Sequence, residues 1–142
     1  MFTSLSDFAA DIGIALLGIA TGAAWIIVIA SPNSSYDGND SIARADTQIK
    51  RLLKDCSIPV ALICLAAGAC CILGRSWIAG ATAFLGAFGF YSNRWMLAPK
   101  KRGSTPPGVR TRRKEQQKMA MGFSLVFLLI ISVALVLAIL GV

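Results

Sequence analysis

The sequence predicts an all-α, integral membrane four-helix bundle, with an amphipathic interfacial helix ahead of the second membrane helix. Three observations predict it. The 142 residues are 56% hydrophobic and only 15% charged, with a mean hydropathy of +0.67, whereas a soluble domain carries about 25% charged residues. Four long apolar runs account for the excess: 12–30, 58–74, 77–97 and 121–142. The basic residues are gathered into two of the segments between those runs. A helix needs about 20 apolar residues to cross a hydrocarbon core of about 30 Å. Lipid satisfies no backbone polar group, so each run should be helical. The expected spans are about 9–30, 58–74, 77–97 and 119–141, joined by loops 31–57 and 98–118, within one membrane domain, 1–142.

The first span is preceded by "MFTSLSDFAAD", which has no Lys or Arg and two Asp. That leader and the length of the apolar stretch point to a retained helix, not a cleaved signal. Ser6 or Asp7 could cap its start. Its end is expected at "SPN", because Pro32 restricts Ser31 and cannot continue the helix. "SSYDGND" then reads as a turn region.

From Ser41, "SIARADTQIKRLLKDC" places Ile42, Ala45, Ile49, Leu52, Leu53 and Cys56 on one helical face. Asp40 and Asp46 near its start and Lys50, Arg51 and Lys54 near its end suit the helix dipole. This segment is read as a helix lying on an anionic membrane surface, or as a plain extension of the second span. Ser57 could cap the second span, with Pro59 in its first turn. Gly74 and Ser76 predict a tight turn, so that the second and third spans form an antiparallel hairpin. Pro99 stops the third span. "GSTPPG" is an extended linker, and "VRTRRKEQQKMA" can run helically into the fourth.

The fourth run is dominated by Leu, Ile and Val and is expected to face lipid. The first three carry stripes of small residues: Gly18 and Gly22; Cys64, Gly68 and Cys71; Ala79, Ala83 and Ala87. Small residues let membrane helices approach closely. The expectation is a tight core of the first three helices.

Charge sets the expected orientation. Arg44, Lys50, Arg51 and Lys54 follow the first span, and Arg75 alone separates the second from the third. Eight of the fourteen Lys and Arg fall in the twenty positions 99–118. By the positive-inside rule both larger loops are cytoplasmic and both termini lie opposite. The expected site is a bacterial inner membrane. The triplets "NSS" and "NDS" then lie in a cytoplasmic loop and read as chance, not as glycosylation sites.

Little in the sequence suggests catalysis. There is no His, and Glu115 is the only Glu, so His-based acid–base chemistry is absent and haem lacks its usual ligand. No Gly-rich phosphate loop follows a strand. The expectation is therefore no enzyme and no cofactor. Of the charges near the spans, Asp11 lies about one turn from the outer end of the first helix and Arg94 near the inner end of the third. Arg94 is about 25 Å from Trp77 along that helix, close enough to its end to snorkel. Trp77 and Trp95 suit the two aromatic belts. An outer-face grouping of Asp7, Asp11 and Arg75 is the one arrangement a lipid-modifying enzyme could use.

Cys56, Cys64, Cys70 and Cys71 all lie on or beside the second helix. Thiolates favour soft metals, so a ladder of Cys70, Cys71, Cys64 and Cys56 could pass one inward. The adjacent pair "CC" resembles that of small mercury-uptake proteins, which would imply metal transport. The alternative is packing, for which buried Cys is well suited. Lys100, Lys101, Arg102, Arg110, Arg112, Arg113 and Lys114 are candidate contacts for anionic headgroups or for another membrane subunit. "RTRRKEQQK" has no interleaved aromatic residue to stack bases, which disfavours nucleic acid. The expected role is an accessory, assembly or scaffold subunit of a larger membrane complex; the competing one is a small homo-oligomeric transporter or channel, its substrate a soft metal ion.

Overall fold

A computed structural model describes residues 2–33, 42–97 and 107–142, and every element among them is helical. The elements are α1 (Phe2–Trp25), a π-helical turn (Ile26–Ala30) that returns to α-helix through residue 33, α2 (Ile42–Leu73), α3 (Trp77–Leu97) and α4 (Pro107–Ile139). Three stretches are long and apolar enough to cross a membrane: Leu5–Asn33, Thr47–Leu73 and Met119–Ile139. Three of the four expected spans thus meet that criterion among the described residues. At 21 residues α3 has the length, but its Gly and Ala content and the run Ser92-Asn93-Arg94 near its end dilute its hydropathy.

Three boundaries differ from expectation. α1 already begins at Phe2, so Ser6 and Asp7 lie inside the helix and not at its start. The helix also passes Pro32, where the sequence suggested a stop. A proline ring collides with the carbonyl four residues back and removes one hydrogen bond. The π turn just ahead absorbs that conflict: the Ser31 N–H reaches back five residues to the Ile26 carbonyl.

The third difference is in α2, one unbroken helix of 32 residues with Pro59 inside it. Ser57 is no cap; its hydroxyl donates to the Leu53 carbonyl at 2.6 Å. The amphipathic segment is therefore the first half of α2, not a separate interfacial helix. Ala45, Ile49 and Leu53 are buried, as the periodicity suggested, while Leu52 is exposed. The apolar face packs on the bundle because the helix axis continues into it.

The turn from α2 to α3 closes as a Schellman motif. The Ser76 N–H bonds the Cys71 carbonyl at 2.9 Å and the Arg75 N–H bonds Ile72 at 3.0 Å. The left-handed residue is Arg75, with φ 70°, not Gly74. Gly74 serves close approach: a Cβ there would sit 2.8 Å from the Ala10 Cβ and 2.9 Å from its Cα. A second Schellman turn closes α4, with Gly141 at φ 73° and Val142 N–H bonded to Leu137 O at 3.1 Å. The Val142 carbonyl then accepts from the Ala79 N–H at 3.2 Å, tying the end of α4 to the start of α3.

The helices pack in a ring. α2 and α3 pack most extensively, followed by α3 with α4, α1 with α2, and α1 with α4. α4 thus contributes one stripe to the core, while most of its remaining surface is exposed, as expected of a lipid-facing helix. It buries Ser124, Leu128, Ile131, Ala134 and Ala138 in a stripe against its neighbours. Glycines of α3 receive it: a Cβ on Gly86 would lie 2.7 Å from Ile131 Cγ1, and one on Gly89 would overlap the Phe127 ring. Phe127 also packs tilted against Phe90, centroids 6.1 Å apart.

Candidate functional site

The small residues singled out in the sequence divide into two groups. Ala79, Ala83 and Ala87 are fully buried in the core. Gly68 meets α3, where an added Cβ would sit 3.2 Å from the Gly80 carbonyl oxygen. Gly18 and Gly22 do the opposite: both are exposed, and a Cβ on either would meet nothing within 4 Å. The closest pair motif in α1 therefore points out of the bundle.

Two of the four thiols are packed into the core. Cys64 and Cys71 are 0% and 1% exposed and belong to the core, while Cys56 and Cys70 are half-buried. Cys71 lies against α1, where a Cβ on Gly13 would come within 2.8 Å of its Sγ. Among the described residues no three His, Cys, Asp or Glu side chains gather closely enough to hold a metal ion. Asp7, Asp11, Arg75 and Arg94 are all exposed, as are Trp77 and Trp95 at the two ends of α3. Lys100, Lys101 and Arg102 lie outside the described residues. Arg110, Arg112, Arg113 and Lys114 fall on the first turns of α4.

Two residues absent from the sequence reading form the main polar feature. Asn93 of α3 is 0% exposed, and its Nδ2 donates to the Ser124 Oγ of α4 at 2.5 Å. The Ser124 hydroxyl in turn donates to the Ala120 carbonyl at 2.8 Å. The Asn93 Oδ1 is buried with no partner. An unpaired buried carbonyl costs about 1–3 kcal/mol, so this helix contact holds a polar group at a net expense. The periodicity would have found it: Ala83, Ala87, Phe90, Asn93 and Leu97 share one face of α3.

Beside this pair lies a cavity of about 210 Å³. Ile27, Val28 and Pro32 of the π-turn segment form one wall, Ile49 and Leu53 of α2 a second, and Met121, Gly122, Ser124 and Leu125 of α4 the third. The π turn widens α1 where the cavity forms, and Gly122 leaves open space where a side chain would intrude. The cavity is open on one side, and its lining side chains are apolar except for Ser124, whose hydroxyl already donates to Ala120 and accepts from Asn93. It suits a hydrocarbon guest and offers no nucleophile or acid–base pair. No family model, curated protein or solved structure matches the chain.

Proposed function

We propose that the protein is a non-catalytic integral membrane subunit that joins a larger membrane assembly through the α1 face carrying Gly18 and Gly22. The observation behind this reading is the outward position of that pair. Every other small-residue stripe is used inside the bundle, whereas Gly18 and Gly22 have 4 Å of clear space above them. A Gly-x-x-x-Gly surface allows a partner helix to approach to backbone contact, the main driving force for association where lipid is as apolar as the side chains. Ile19 and Ile26, both exposed, flank the groove and supply knobs for such a partner.

In this reading all four helices are embedded, and the exposed Ile78, Leu85 and Phe88 of α3 face lipid. The basic segments around 44–54 and 100–118 face the cytoplasm of a bacterial cell, and both termini face away from it. A soft-metal transporter is the weaker reading, because Cys64 and Cys71 are consumed by packing.

The test is native purification in mild detergent, with mass spectrometry of the intact assembly, on the wild type and on Gly18→Leu/Gly22→Leu. The expected result is a hetero-complex of fixed stoichiometry that the double variant loses while its helical spectrum and melting are unchanged. A wild-type protein that runs alone, or as a homo-oligomer, overturns the reading.

A further inference from the structure

We propose that the inner end of the α2–α3 seam is a headgroup site for one anionic glycerophospholipid, with Lys54 of α2 and Arg94 of α3 holding its phosphate. The inference rests on the reading that all four helices are embedded, and not on the partner subunit.

The register of the α2–α3 hairpin brings these two cations to one height. A Cβ on Gly68 would sit 3.2 Å from the Gly80 carbonyl oxygen and 3.3 Å from Phe84 Cζ, and one on Gly80 would sit 2.6 Å from Ile72 Cγ1. Toward the inner end of the same pair, Leu53 and Leu97 are buried in one cluster. Lys54 follows Leu53 and lies about five full turns before Ile72, on the side of α2 that meets α3. Arg94 lies one turn before Leu97 and about four turns after Gly80, on the side of α3 that meets α2. Lys54 is half-buried and Arg94 exposed, and exposed Arg51 stands one turn farther out on α2. Like charges at one height repel, and an anion between them removes that cost.

The acidic residues do not fill that place. Asp55 is exposed and lies about 100° round the helix from Lys54. Asp46 is about two turns farther out along α2, and Asp37 and Asp40 precede Ile42, the start of that helix. Glu115 belongs to α4, which packs on the opposite face of α3, the one carrying Gly86 and Gly89. Residues 98–106, which follow α3, contain no acid.

The surface beside the cations is hydrocarbon, which identifies the anion as a lipid's. Trp77 and Trp95, both exposed, are about 27 Å apart along α3, close to a hydrocarbon thickness of about 30 Å, and Arg94 adjoins the inner one. From Arg94 toward the middle of the bundle the seam is bordered by exposed Tyr91 and Phe88 of α3 and exposed Leu62 and Leu65 of α2. A phosphodiester held at Lys54 and Arg94 lays an acyl chain along that border, whereas a free phosphate gains the charge alone. A zwitterionic headgroup brings its own ammonium to the same cations and forfeits the preference.

The test uses the full chain in nanodiscs of mixed phosphatidylglycerol and phosphatidylcholine, followed by native mass spectrometry of retained lipid, with circular dichroism to check that each variant is folded. The expected result is one phosphatidylglycerol retained by the wild type in preference to phosphatidylcholine. Lys54→Gln and Arg94→Gln should each lower that preference about fivefold, the share of one basic residue near a headgroup. Arg94→Lys should keep it. Arg75→Gln, which removes an exposed cation at the opposite end of the bundle, should leave it unchanged. Equal retention of both lipids by the wild type overturns the proposal, as does a preference that survives Lys54→Gln with Arg94→Gln or falls as far in Arg75→Gln. Inorganic phosphate that binds the detergent-solubilised chain and is lost in the same variants, with no lipid preference, assigns the site to a soluble anion and overturns the lipid. A chain that stays monodisperse without detergent or lipid overturns the membrane premise and this site with it, and is recognised before any lipid is counted.

Discussion

Replacing Asn93 with Leu is expected to leave the bundle as stable as the wild type, or more stable by about 1 kcal/mol. The two side chains have the same heavy-atom branching, so the comparison isolates polarity. The substitution removes one interhelical hydrogen bond, Nδ2 to Ser124 Oγ, and such bonds average about 0.6 kcal/mol in membrane bundles, with a maximum near 1.7. It does not orphan Ser124, whose hydroxyl still donates to Ala120 at 2.8 Å. It also removes a buried Oδ1 that has no partner, worth about 1–3 kcal/mol of desolvation. The remaining opposing term is the greater bulk of two methyl groups, which the cavity beyond Ser124 can relieve by a small shift of α4. Asn93→Ala, by contrast, loses the bond and the packing together and should cost about 2 kcal/mol. Reversible unfolding in mixed micelles with increasing dodecyl sulfate, followed by circular dichroism, measures both. If Asn93→Leu lost more than about 2 kcal/mol, Oδ1 would have to be paired in the membrane and the deficit assigned to this contact would be wrong.

Arg75 sits in the left-handed region at φ 70°, which costs a non-glycine residue about 1–2 kcal/mol. Arg75→Gly should therefore raise stability, less the roughly 0.4–1 kcal/mol that glycine's unfolded-state freedom takes back, and the same unfolding assay reads it. Gly13→Ala should destabilise by about 1–3 kcal/mol, because its Cβ would fall 2.8 Å from the Cys71 Sγ. Cys71→Ala in the same chain should recover part of that loss, leaving the residue due to the Cys71 backbone nitrogen 3.2 Å away. A double-mutant cycle showing no coupling between the two sites would place them out of contact.

What was legible in the sequence is what depends on one helix at a time. Hydropathy placed four spans, three of which meet the length and composition for crossing a membrane, and the period of α2 picked out a face of which Ala45, Ile49 and Leu53 are buried and Leu52 is not. The Ala79, Ala83 and Ala87 stripe was read correctly as core for the same reason. Features that depend on two helices were not legible. A small-residue stripe shows that close approach is possible, yet it does not say which neighbour approaches, so Gly18 and Gly22 looked equivalent to Gly68 and proved opposite. The stripe that α4 adds to the core was not legible, because Leu, Ile and Val suit a lipid-facing surface and a glycine-rich neighbour equally well. Only Gly86 and Gly89 across the interface decide for packing. Pro32 was read as a stop and Pro59 as a first-turn residue by local rules, but a helix held by its neighbours can absorb a proline by widening into a π turn or by leaving one carbonyl unbonded.

The two ends of the bundle are built differently, and the difference points to where change can occur. At the end holding the α2–α3 turn, two Schellman motifs, the Val142–Ala79 hydrogen bond, Gly74 against Ala10 and Gly13 against Cys71 pack the helices closely. At the other end a π turn, a cavity of about 210 Å³ and a buried carbonyl without a partner lie together. Packed cores move between discrete arrangements, so free volume and an unmet hydrogen bond mark the place where a second arrangement is least costly. The lysine-bearing turns of α2 and α4 are continuous with that same end. A rearrangement there would therefore act on the helices whose extensions carry the basic surface.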